Sequence, residues 1–151
     1  KEITSIAETS DYEDCVNAGG AVGESYPSIC VINDKTFTED IGNELEKQDL
    51  IRVENPRPGQ RISSPLLIRG EARGNWFFEA SFPIKLLDSE GNIIATSHAE
   101  AEGEWMTKEF VPFEATIEFK TEDSRGQLIL EKGNPSGLQH NAGQIEIPVV
   151  F

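Results

Sequence analysis

The chain has 151 residues and a formal net charge of −14, from 27 Asp and Glu against 13 Lys and Arg. Such a charge repels nucleic acids and anionic membrane surfaces, so we expect no nucleic-acid partner. No apolar run approaches the roughly 18 residues that a membrane-spanning helix needs, so we expect no transmembrane segment. The sequence opens at Lys1 rather than at Met, a start compatible with a lipid anchor before Lys1.

The N-terminal part contains both cysteines of the chain. Residues 1–10 form a polar leader, and residues 11–38 form a segment in which Cys15 and Cys30 flank a polar, glycine-rich stretch. A disulfide closing this ring of about 16 residues would contribute about 3 kcal/mol. Two free thiols or half of a metal site are the alternatives, but no His is near and the spacing is far from C-x-x-C. We therefore predict a disulfide, and with it an oxidising, extracytoplasmic compartment.

Local patterns in the first fifty residues predict short elements. The stretch DYEDCVNAGG is typical of one helical turn that ends at Gly19 and Gly20, and VINDKTF predicts a strand and a turn. Residues 39–50 form an acidic linker with Ile41 and Leu45 on one face, which predicts a short helix weakened by Gly42.

From Ile51 onward the apolar pattern has a period of two, the period of half-buried strands. The clearest strand is FEATIEFKT (113–121), followed by FFEASFPIKLLD, with Phe78 and Phe82 predicted to face inward, and QIEIPVVF. Weaker strands are predicted at 66–72, 92–99 and 127–132, with turns at 55–60, 88–92 and 133–137. About seven short strands in roughly 100 residues predict an all-β fold, an immunoglobulin-like antiparallel β-sandwich over 51–151.

Several ordered blocks carry a family resemblance across this region. They are NPRPGQRISSPLLIRGEARGNWFFEASFPIKLLDSEGN, EGEWMTKEFVPFEATIEF, GQLILEKGNPSG and IEIPVVF. The segment from Ile51 to Phe151 resembles the immunoglobulin-like domain family of bacterial spore germination. This resemblance implies an extracytoplasmic β-sandwich that is often attached to other modules. The pattern DCVNAGGAVGESYPSICVINDKTFTE is similar to a short cysteine segment near the N-termini of bacterial exported proteins and lipoproteins.

The sequence offers little that would support catalysis. His98 lies in a strand pattern and His140 in a loop, and no G-x-S-x-G, H-E-x-x-H or phosphate-binding glycine loop is present. Adjacent acids in EAEGE (100–104) fit a solvated loop better than a glycosidase pair. Asp88 and Glu90 could supply oxygens to calcium, but the D-x-D-x-D-G pattern is absent. We predict no catalytic residue, no metal and no cofactor.

Aromatic residues mark the candidate binding surface. If Phe78 points into the core, alternation turns Phe77 outward and leaves Trp76 at the strand entrance. Trp105 precedes another strand in EGEWMTKEF. The alternative is that both tryptophans close the ends of the core. The predicted surface comprises Trp76, Phe77, Glu79, Trp105, Met106, Asn134 and Ser136.

These features predict a non-enzymatic protein of the bacterial cell envelope that acts as a protein-interaction or assembly module. It would present an edge strand or a patch of end loops to an envelope protein or a cell-wall component. The alternative is a carbohydrate- or peptidoglycan-binding module in which Trp76 and Trp105 stack on sugars. Exposure of the two indoles separates these functions, because a buried indole offers no face to a sugar ring.

Overall fold

A computed structural model describes residues 11–133 and 143–151 of the chain. The chain forms two compact units, of which the first ends at Ile41 and the second spans Gly42–Phe151. In the described ranges no helix is long and apolar enough to cross a membrane.

The first unit combines a short helix with a three-stranded sheet. Helix α1 (Tyr12–Asn17) begins at Asp11, whose side chain accepts a hydrogen bond from the backbone N–H of Asp14, as N-cap residues do. Strands β1 (Ala21–Val22), β2 (Ile29–Ile32) and β3 (Lys35–Thr38) pair in chain order, all antiparallel.

The predicted disulfide between Cys15 and Cys30 is confirmed. It joins α1 to β2, and both cysteines are completely buried. A Cβ atom on Gly20 would lie 2.4 Å from one sulfur and 2.6 Å from the other. Gly20 therefore serves close packing of the backbone against the disulfide.

The described residues of the second unit form a short α-helix and seven strands. Helix α2 is Glu44–Lys47. The strands are β4 (Ile51–Asn55), β5 (Leu66–Arg73), β6 (Ser81–Asp88), β7 (Ile93–Ala101), β8 (Phe110–Ile117), β9 (Arg125–Glu131) and β10 (Gln144–Val150). They pair antiparallel in the order β10-β9-β6-β7-β8-β5-β4.

Strand β7 joins β6 to β8 in this sheet. It pairs with β6 over Ile93–Glu100 and with β8 at Glu100 and Ala101, and the Ser97 hydroxyl donates to the Thr116 carbonyl at 2.8 Å. The predicted immunoglobulin-like β-sandwich is confirmed.

In the described part of the chain, the interior of the sandwich is an apolar cluster to which all seven strands contribute. Phe82 packs between Phe77 and Phe113, with ring centroids 5.4 Å and 5.0 Å apart. The alternation predicted for β8 and β10 is confirmed. The buried members on these two strands are Val111, Phe113, Ala115, Ile117, Ile145, Ile147 and Val149.

The helix predicted over residues 39–50 is shorter than expected and covers only Glu44–Lys47. Of the two apolar residues predicted to share a face, Ile41 is buried but Leu45 is exposed, and within the helix Glu44 is buried instead. Gly42 has a φ of +71°, which turns the chain just before the helix. Arg57 then binds the Glu44 carboxylate, and this ion pair selects the buried face.

The outer edge of β10 is covered by two other segments of the same unit, residues 42–43 and 59–62. Pro148 has no N–H, and the remaining outward-facing groups from the Gln144 carbonyl onward have partners in these segments. These bonds are Asn43 Nδ2 to Gln144 O (3.0 Å), Asn43 N to Glu146 O (3.4 Å), Glu146 N to Asn43 Oδ1 (2.7 Å), Gly59 N to Pro148 O (2.7 Å), Val150 N to Gln60 O (3.0 Å) and Ile62 N to Val150 O (2.8 Å).

Candidate functional site

Three strand connections meet at one end of the sandwich, which we call the loop end. It comprises the β5–β6 connection (74–80), the β7–β8 connection (102–109) and the described ends of the β9–β10 connection (132–133 and 143). A Cβ on Gly74 would lie 2.0 Å from the Thr107 carbonyl oxygen and 2.2 Å from that of Trp105. The Lys132 N–H donates to the Gly143 carbonyl at 2.8 Å. The first two connections therefore pack backbone against backbone.

Trp76 joins the loop end to the core. It ends a 3-10 helical turn, Gly74–Trp76, and is 1% exposed. Its carbonyl accepts a hydrogen bond from the Gly133 N–H at 2.8 Å. Its indole Nε1 is buried without a hydrogen-bond partner in the described part of the chain. The assignment of Trp76 to an exposed surface is thus wrong; the residue closes the end of the core instead.

The predicted orientations of Phe77 and Phe78 are reversed. Phe77 is 4% exposed and belongs to the core, whereas Phe78 is 44% exposed. A tight turn over residues 78–81 causes this, because Phe78 and Ser81 exchange backbone hydrogen bonds of 2.8 Å and 3.1 Å. Glu79 and Ala80 occupy its centre with φ values of 51° and 65°.

Strand β6 consequently begins only at Ser81, so alternation cannot be extended back to Phe78. The two central turn positions need positive φ, which Asn and Gly favour. Glu and Ala are not typical of these turn positions, so the sequence does not predict the turn.

The second tryptophan and its neighbour differ in exposure. Trp105 is half-buried and packs against the core cluster, while Met106 is 72% exposed. The Met106 N–H donates to Glu104 Oε1 at 3.0 Å, which holds the loop around this residue. Asn134 and Ser136, the remaining predicted surface residues, lie outside the described residues.

Exposed carboxylates surround the loop end. Glu100 on β7 lies directly opposite Glu114 on β8 in the strand register. None of the carboxylates in this group forms an ion pair within residues 11–133 and 143–151. The group consists of Glu79, Glu100, Glu102, Glu104 and Glu114, all exposed.

The arginines nearby have other partners. The guanidinium carbons of Arg52 and Arg73 each lie 4.1 Å from the centroid of the Phe110 ring, in cation–π geometry. Arg73 also donates to the carbonyls of Asp49 (3.0 Å) and Lys108 (3.2 Å). These cations hold backbone segments together beside the loop end.

The acidic hairpin at the opposite end of the sandwich is organised by its own backbone. Asp88 Oδ1 accepts hydrogen bonds from the N–H groups of Glu90 and Asn92, both at 2.9 Å. Asp123 Oδ2 accepts from the Ser89 hydroxyl (2.6 Å) and N–H (2.9 Å), and these bonds lower the pKa of Asp123. Among the described residues no group of three or more His, Cys, Asp or Glu side chains could hold a metal ion.

The antiparallel strand order and the shared apolar interior define an immunoglobulin-like β-sandwich protein. A family model described as the immunoglobulin-like domain of bacterial spore germination matches residues 50–137, and the chain belongs to this family. Strand β10 lies outside the matched range, although it pairs with β9 along seven residues. No curated protein and no solved structure matches the chain.

Proposed function

We propose that this protein is a non-enzymatic, extracytoplasmic module of the bacterial cell envelope that binds a partner protein through its loop end. The Cys15–Cys30 disulfide supports an oxidising compartment, since cysteine thiols are kept reduced in the cytosol. The family supports a bacterial envelope context through its link to spore germination.

The observation that carries the proposal is the exposure of Phe78 and Met106 at the same end of the sandwich. Their exposed fractions are 44% and 72%. Aromatic residues and Met are enriched at protein interfaces, because they bury much apolar area when a partner arrives. Close backbone packing at Gly74 and the hydrogen bond to the Trp76 carbonyl hold the loop end in place, so this surface is preorganised for binding.

The covered edge of β10 favours the loop end over this strand as the contact surface. Partners that add a strand to a sheet need a row of unpaired N–H and C=O groups. On β10 the residues 42–43 and 59–62 already occupy these groups. Strand addition there would require both segments to detach.

The carbohydrate-binding alternative needs two exposed tryptophans, and Trp76 is not exposed. Trp76 is 1% exposed, so neither face of its indole is open to a sugar ring. Trp105 is half-buried. The loop end therefore supports contact with a protein better than stacking on a sugar.

Site-specific photocross-linking tests the proposal in the producing cells. A benzophenone amino acid replaces Met106, or in a second protein Phe78, and cross-linked products are identified by mass spectrometry. The control carries the same group at Ile93, which is 55% exposed but lies at the opposite end of the sandwich.

We expect the same protein to be cross-linked from positions 106 and 78 and not from position 93. Phe78→Ser and Met106→Ser should reduce capture of that protein by about tenfold or more, the size of interface hot spots, while Ile93→Ser should not. Equal cross-linking from position 93, or no protein product from either loop-end position, would refute the proposal.

A further inference from the structure

We infer that the partner presents a positively charged surface, and that the loop end recognises it with exposed apolar residues flanked by glutamates. This inference rests on the proposed function and adds the chemistry of the partner.

Strand pairing brings the glutamates to one region. The Ala101 N–H donates to the Ala80 carbonyl at 2.8 Å, so the turn that carries Glu79 lies beside the end of β7. From that end the chain continues through Glu102 and Glu104 towards Met106. The carboxylates and the exposed apolar side chains therefore belong to the same loop end.

Glu100 and Glu114 give the strongest indication of a cationic partner. They are directly opposed cross-strand neighbours, and like charges in this position destabilise a sheet. Arg69 lies opposite Glu114 on the other side of β8, but its guanidinium pairs with Glu54 at 3.7 Å. A Lys or Arg of a partner that approaches between Glu100 and Glu114 would relieve their repulsion.

Among the described residues, the loop-end connections hold fewer cations than glutamates. Lys108 lies in the β7–β8 connection and Lys132 at the start of the β9–β10 connection, against the five glutamates of this group. Arg73 donates to backbone carbonyls and lies over the Phe110 ring. Anionic polymers and anionic membranes would be repelled by the same glutamates.

The experiment uses the full chain and a designed amphipathic helical peptide of Leu and Lys as the probe. Two comparison peptides replace every Lys by Glu, or every Leu by Ser. Binding is followed by chemical-shift changes in the ¹⁵N-labelled protein and by isothermal titration calorimetry at low and physiological salt.

Two triple variants with the same net charge separate local recognition from overall charge. One is E100Q/E102Q/E104Q at the loop end, and the other is E90Q/E118Q/E122Q at the opposite end. All six positions are exposed. The loop-end variant should bind the Leu/Lys peptide about tenfold more weakly, and the control should change by less than about twofold, because surface charge interactions are short-ranged at physiological salt.

Shift changes should centre on the loop end and should be lost with the Leu/Glu peptide. Equal weakening by both triple variants, or binding of the Leu/Glu peptide, would overturn the inference. If position 106 still cross-links a protein and E100Q/E102Q/E104Q leaves that capture unchanged, the proposed function stands and the cationic partner is rejected. If neither position 106 nor position 78 cross-links a protein, the proposed function itself fails.

Discussion

The Arg57 guanidinium donates two parallel hydrogen bonds to the Glu44 carboxylate, Nη1 to Oε1 and Nη2 to Oε2, each 2.6 Å long. Arg57 Nη1 also donates to the Val53 carbonyl at 2.8 Å. The pair thus connects helix α2 with the loop that follows β4. The Glu44 side chain is only 10% exposed, so its charge needs this partner in the folded state.

Glu44→Gln should destabilise the sandwich by about 1–2 kcal/mol, because it removes the charge that faces a partly buried guanidinium. Chemical denaturation gives the free energy of unfolding. The matched control is Glu54→Gln, whose side chain is 66% exposed and lies 3.7 Å from Arg69. We expect a change below about 0.5 kcal/mol there. Equal effects at the two positions would contradict a special role for the Glu44 pair.

Asn43→Ala should loosen the covered edge of β10. Its side chain donates to the Gln144 carbonyl and accepts from the Glu146 N–H, so the substitution leaves a strand donor and an acceptor without these partners. We expect a loss of about 1–2 kcal/mol and faster amide exchange at Glu146. Unchanged exchange at Glu146 would show that Asn43 does not hold this edge.

The contacts of β10 at the edge of the sheet predict which fragment of the chain folds. A fragment of residues 42–151 retains Asn43 and β10, whereas residues 50–137, the range of the family match, lack both. The shorter fragment loses the buried side chains of Ile145, Ile147 and Val149. We expect cooperative thermal unfolding for 42–151 and no folded near-ultraviolet circular dichroism for 50–137. A folded 50–137 fragment would show that β10 is dispensable.

The sandwich could be predicted from the sequence because its strongest signals are local. In β8 every second residue is apolar, and this pattern alone indicates the buried face. The disulfide could be predicted from the surrounding glycine-rich sequence. The positions of Phe77 and Phe78 could not, because they depend on a turn at Glu79 and Ala80 whose residues lack the usual turn signature.

Other parts of the candidate site depend on pairing between distant segments. Met106 was predicted at the surface, but the opposition of Glu100 and Glu114 requires the register of β7 against β8, which alternation within one strand does not specify. The burial of Glu44 likewise depends on Arg57, thirteen positions further along the chain.

The hydrogen bonds from Ser89 to Asp123 predict a pH dependence. They lower the pKa of Asp123 below 3.8, its ordinary value. A lowered pKa in the folded state means that this carboxylate contributes stability above pH 3.8, and that the contribution is lost as the pH falls through the folded pKa. In Ser89→Ala the pKa should rise towards its ordinary value, because the hydroxyl hydrogen bond, the largest cause of the lowering, is lost. Carboxyl ¹³C titration measures both proteins, and an unchanged pKa in the variant would contradict the assignment.

Reduction of Cys15–Cys30 should unfold the first unit selectively. The bond closes a loop with a sequence separation of 15, and closing such a loop contributes about 3 kcal/mol. Adding a thiol reductant should therefore abolish amide protection in β2 while β8 and β10 remain protected. A Cys15→Ser/Cys30→Ser protein should behave like the reduced chain without reductant. Retained protection in β2 of that variant would show that packing alone suffices.

Glu100→Gln should raise stability while it weakens partner binding. The substitution keeps the side-chain shape and removes the repulsion with Glu114, so we expect a gain of about 0.5 kcal/mol in the free energy of unfolding. The gain should shrink at high salt, where the repulsion is screened. Glu118→Gln is the control, since Glu118 is exposed beyond the end of β8 and, among the described residues, has no partner in the strand register. A loss of stability in Glu100→Gln would mean that the carboxylate stabilises the fold. A gain in stability combined with weaker binding of the partner would show that Glu100 contributes to recognition and lowers the stability of the folded protein.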